Sequence, residues 1–181
     1  MRGGELSPGE VNALLAYEWT RAAPPDAAQL ASAGRNTGRL LALMLGFEEI
    51  CAAGTPSEFT GDLAPLAARV DWLLQWVLAD READPDWRQM PRPVVLTPET
   101  AQWLESSASA AGDWGVLRLY PEPRLPRSLA LWAEVEAVTP EPDGWRIRVR
   151  WQGQNAQTRE SLERLLFRLH RQEVARVRQC R

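Results

Sequence analysis

Apolar residues follow two different rhythms along the chain, and the change falls near residue 90. Ahead of it the spacing is helical. Ser7-Pro8-Gly9-Glu10 supplies an N-cap, a proline at the first helical position and a glutamate three residues after the cap. This predicts a helix to about Trp19, ending before Pro24-Pro25. Asp26 predicts the cap of a second helix, best defined from Gly38 to Ala52, with Leu40, Leu41, Met44, Leu45 and Ile50 on its apolar face. A third helix is predicted from Asp62 to near Glu82, where Leu63, Leu66, Val70, Leu73 and Val77 fall at intervals of three, four, three and four. That is a coiled-coil-like seam. At roughly 100° per residue, Trp72 and Trp76 lie nearly opposite it, so the helix has two apolar sides and packs against two things. The second contact is either the interior of a monomer or another copy of the chain.

Asp84-Pro85-Asp86 and Pro91-Arg92-Pro93 form a polar, proline-rich connection, and beyond it the period becomes two. Val94 to Leu96 and Ala101 to Leu104 predict short strands. Trp114 to Tyr120 predicts another, after a turn at Gly112-Asp113, and Leu129 to Val138 predicts a long one. Pro142-Asp143-Gly144 is a hairpin turn, and the return strand Trp145 to Trp151 alternates strictly. Its set Trp145, Ile147, Val149 and Trp151 must face inward, leaving Arg146, Arg148 and Arg150 outside. Thr158 is predicted to cap a final helix with Leu162, Leu165, Leu166, Leu169, Val174 and Val177 on its apolar side. Short antiparallel strands closed by one amphipathic helix predict a small barrel.

Composition adds three constraints. The 181 residues carry a net charge of −3, which argues against binding a nucleic-acid polymer. All 21 basic residues are arginine, so every cationic site is planar and bidentate. Nine tryptophans are too many for one core in a chain of this size, and some are expected at an interface. The cysteines, Cys51 and Cys180, form neither a metal spacing nor a disulfide framework. With no apolar signal core and no run long enough to span a bilayer, the expected location is the cytoplasm.

In order and spacing, residues 94–179 resemble a PilZ domain, the small barrel of bacterial receptors for cyclic di-GMP. The resemblance is carried by Val95-Leu96-Thr97-Pro98, Gly112-Asp113-Trp114, Ala133-Glu134-Val135, Asp143-Gly144, Val149-Arg150-Trp151 and the helix from Glu163 to Gln172. Upstream, Ala67 to Gln75 is similar to the helix before the barrel in an atypical subgroup whose members associate through extra helices. The resemblance implies two ligand devices. One is an RxxxR pair gripping phosphate, matched here by Arg88 and Arg92. The other is a D/NxSxxG strand, which aligns with Val95 to Thr100 and keeps only the hydroxyl of Thr97. Valine stands for the acid and threonine for the glycine, while Glu99 puts like charge beside phosphate.

Other candidate chemistry is sparse. His170, the single histidine, has no nucleophile or carboxylate partner at a legible spacing, and Asp80, Glu82, Asp84 and Asp86 read as a solvated linker. The expected protein is α+β: a helical region over residues 1–90 with a possible oligomerisation element, then a PilZ-like barrel with its closing helix over 91–181. Expected function is non-catalytic interaction in bacterial signalling or surface motility, without a cofactor. Its expected partners are further copies of the chain, held through Leu63, Leu66, Val70, Leu73, Val77, Trp72 and Trp76, and another protein. The alternative is a cyclic di-GMP receptor using Arg88, Arg92 and Thr97.

Overall fold

A computed structural model describes residues 10–52, 70, 90–121 and 128–179. Six antiparallel strands close into a barrel: β1 (Val11–Arg21), β2 (Arg92–Leu96), β3 (Thr100–Glu105), β4 (Trp114–Tyr120), β5 (Leu129–Glu141) and β6 (Gly144–Trp151). Around the barrel the order is β1-β2-β3-β6-β5-β4. Helix α1 (Ala27–Ala52) lies between β1 and β2 in sequence, and α2 (Ala156–Gln179) follows β6.

The first strand corrects the helix predicted to run to Trp19. Val11, Ala13, Leu15 and Tyr17 belong to the barrel core, with exposed Asn12 and Leu14 between the first three and the small, buried Ala16 before Tyr17. Exposed Leu14 beside Leu15 masks that alternation in the sequence, and the capping signals at Ser7 to Glu10 reinforce the wrong period. β1 also closes the barrel. Its first half pairs with β2, from Val11↔Leu96 to Leu15↔Arg92, and its second half with β4, from Ala16↔Tyr120 to Arg21↔Gly115. Both partners are distant in sequence, so no local hairpin signal announces the strand.

The predicted strands of the second half form, each extended slightly or unchanged. Their inward residues, with β1, make one core that includes Trp103, Leu117, Leu131, Val135, Ile147 and Val149. Each large aliphatic side chain so buried contributes about 1.5–3 kcal/mol. Gly144 closes the β5–β6 hairpin at φ 143°, a conformation other residues rarely adopt.

Helix α1 begins where Asp26 predicts. Gln29 N donates to Asp26 Oδ1 at 2.7 Å, and Asp26 N donates to Gln29 Oε1 at 2.9 Å, a reciprocal capping box. The predicted cap of α2 is displaced. Asn155 Oδ1 accepts from Thr158 N at 2.7 Å, while the buried Thr158 hydroxyl donates to Gly34 O at 3.3 Å. α1 approaches this turn closely at Gly34, where a side-chain carbon would run into the Gly153 carbonyl oxygen. Thr37 Oγ1 then ties α1 to β5, donating to Ala130 O at 2.9 Å.

The predicted arginine stripe on β6 is present, and its three arginines pair with two glutamates of β5. Arg146 is hydrogen-bonded to Glu141, and Glu136 takes both Arg148, at 3.3 Å, and Arg150. The register shift between Val135 and Ala137 places Glu136 at a bulge in the ladder. Arg146 holds the Glu141 carboxyl below its ordinary range, chiefly through their hydrogen bond.

Candidate functional site

Two of the three candidate ligand residues bracket strand β2, one at each end. Arg92 starts the strand and Thr97 follows its last residue. Five steps of about 3.4 Å separate them by roughly 17 Å along the strand. Arg88 lies outside the described residues.

At the first end the barrel is plugged by aromatic rings. Tyr17 and Trp103 have centroids 5.9 Å apart, and Trp19 and Trp103 are 5.5 Å apart. Arg92 closes this end from above. Its guanidinium lies 4.1 Å from the Tyr17 ring centre, Nη2 donates to Tyr17 O at 3.1 Å, and Nη1 is 4.0 Å from Glu105 Oε1. Burial pushes the Tyr17 hydroxyl up to about 12, against the opposing pull of Arg92. Arg92 is therefore a packing residue here, with its side chain 39% exposed.

At the second end Thr97 organises the β2–β3 turn. Its hydroxyl accepts from Thr100 N at 2.8 Å and from Glu99 N at 3.1 Å, and lies 2.9 Å from the Thr100 hydroxyl. Trp151 Nε1 donates to Thr97 O at 3.2 Å, and Trp151 N donates to Glu99 O at 2.9 Å, pinning the turn to β6. The Thr97 hydroxyl is thus engaged in holding the turn. Glu99 projects a carboxylate there, 3.9 Å from Arg159.

A groove of about 470 Å³ opens beside this turn, between α2 and the start of β1. It is lined by Glu10, Val11, Pro98, Glu163, Leu166, Phe167 and His170. No motif in the sequence marks this surface. The one hint in the sequence is that Phe167 stands off the leucine stripe of α2, and in the structure it is 64% exposed. The groove also places His170, which lines it from an exposed position on α2.

Of the candidate oligomer contacts, Leu63, Leu66, Leu73, Val77, Trp72 and Trp76 lie outside the described residues. Val70 is helical and 48% exposed. The acidic cluster from Asp80 to Asp86 also lies outside them. Among the described residues no cluster of His, Cys, Asp and Glu side chains is arranged to hold a metal ion, and no helix is long and apolar enough to cross a membrane.

No curated protein matches the chain. A solved structure is similar over 92% of this chain and 89% of its own, with a TM-score of 0.67 and 22% identity. It is a pathogenic protein from Xanthomonas campestris, described as a new tetrameric PilZ domain self-assembled via an unusual helical bundle. At that identity the likeness shows a common fold. A family model described as atypical PilZ domain, cyclic di-GMP receptor, matches residues 43–179, an interval that takes in every strand except β1. The match spans most of the chain, its fold is the expected barrel, and the chain belongs to the atypical PilZ domain family.

Proposed function

We propose that this chain is a non-catalytic PilZ-type interaction and assembly module of bacterial signalling or surface motility. On this reading it acts in the cytoplasm, needs no cofactor and does not itself hold cyclic di-GMP. The observation that carries the reading is the employment of Arg92 and Thr97. One is stacked on Tyr17 and the other closes its own turn, at opposite ends of β2. Freeing either for a phosphate or a base would cost the barrel a packing contact or a turn.

Self-association is assigned to the seam of Leu63, Leu66, Val70, Leu73 and Val77, with Trp72 and Trp76 behind it. Its spacing suits a helical bundle, which is how the tetrameric structural neighbour is described as assembling. The competing reading is a receptor that grips cyclic di-GMP with Arg88, Arg92 and Thr97, and it draws on the description of the family. Light scattering tests the assembly half. A mass above the monomer, falling to the monomer in the Val70→Glu, Leu73→Glu double variant with the barrel still folded, is the expected result. A monomer at high micromolar concentration contradicts it.

A further inference from the structure

The groove between α2 and the start of β1 combines an apolar surface with acidic groups. Leu166, 3% exposed, and Val11 give it a buried floor, while Pro98 and the exposed Phe167 ring stand at its sides. Its volume of about 470 Å³ is that of a site for a few side chains. Phe167 alone would be ordinary, since single apolar residues are common on surfaces. Its place beside a groove with a buried floor is what sets it apart.

The charge of the lining decides what fits. Glu10 and Glu163 contribute carboxylates, and no arginine is among the described lining residues, although α2 is rich in arginine. Along α2, Arg159 faces Glu99 at 3.9 Å and Arg164 faces Glu160 at 2.6 Å, while Arg171 lies 6.0 Å from the ring of Phe167, a lining residue of the groove. The Glu163 carboxylate in this lining favours a cationic group over phosphate. An arginine or lysine can lay its methylene stem along Leu166 and Val11 while its head reaches Glu163. The approach of Arg171 shows that the Phe167 ring already receives a guanidinium.

We propose that this groove docks a short segment of a partner protein carrying an arginine or lysine beside a bulky apolar side chain. The inference rests on reading the chain as an interaction module, and it names the class of partner.

The test is panning a phage-displayed library of random peptides, about twelve residues long, on the full chain. Enriched peptides are expected to carry arginine or lysine next to leucine, phenylalanine or tryptophan. Measured by fluorescence anisotropy, each is expected to bind at least about tenfold more weakly to Glu163→Arg and to Phe167→Ala, and less weakly to Glu163→Gln. Both positions are exposed, and circular dichroism melts check that the variants stay folded. The proposal is overturned by no enrichment, by acidic peptides, or by peptides that bind all three variants as well as the parent. A fall in scattering mass on changing Glu163 or Phe167 also overturns it, because the groove would then be a contact between copies. The module reading stands or falls separately, on the scattering mass of the parent and its response to cyclic di-GMP.

Discussion

Arg92 donates through Nη2 to the carbonyl oxygen of Tyr17 at 3.1 Å while its guanidinium lies 4.1 Å from the centre of the same residue's ring. Arg92 is thereby turned onto the barrel's own first strand. Replacing Arg92 by alanine removes a hydrogen bond, a cation–π contact and the apolar cover of its stem. The expected loss is about 1–2 kcal/mol in denaturant unfolding, and Arg92→Lys should recover only part of it. An unchanged midpoint would show that the contact carries no stability.

Tyr17 makes the same end of the barrel sensitive to alkali. Burial raises its hydroxyl from the ordinary 10.0 to about 12 in the folded chain, so the folded state keeps its proton where the unfolded state has lost it. Stability from this group is complete below pH 10 and declines as pH rises towards 12. The expected decline is about 1–2 kcal/mol relative to Tyr17→Phe, which lacks the titrating group. Tyrosinate absorbance should show one tyrosine ionising only in that upper range. If wild type and Tyr17→Phe lose stability in parallel, the shift is absent.

The seat of α1 depends on having no side chain at Gly34. Alanine is intrinsically better in a helix by about 1 kcal/mol, yet here its methyl group meets the Gly153 carbonyl oxygen. Gly34→Ala is expected to lower stability by a net 1–2 kcal/mol or so, and to expose the Thr158 hydroxyl that bonds to Gly34 O. Thermal unfolding followed by circular dichroism checks it, and a raised midpoint would mean that α1 moves away at no cost.

The second half of the barrel was legible because each strand there carries its own signal. Trp145 to Trp151 alternates strictly behind the turn ending at Gly144, and the leucines of α2 fall on one stripe. β1 was not, because Leu14 breaks its alternation and its partners lie far along the chain. The candidate site was half legible. The threonines at 97 and 100 and the turn residues between them stand together in the sequence, whereas the employment of Arg92 by Tyr17 needs two strands brought together in space. The groove gave almost no sequence signal, since Glu10, Pro98 and Glu163 come from three separated segments.

Calorimetric titration of cyclic di-GMP into the full chain bears most directly on the central claim, that the residues of the family's nucleotide strand serve the barrel. No saturable heat is the predicted result, with or without Arg88→Ala. Binding at micromolar or tighter affinity that disappears in Arg88→Ala would contradict it.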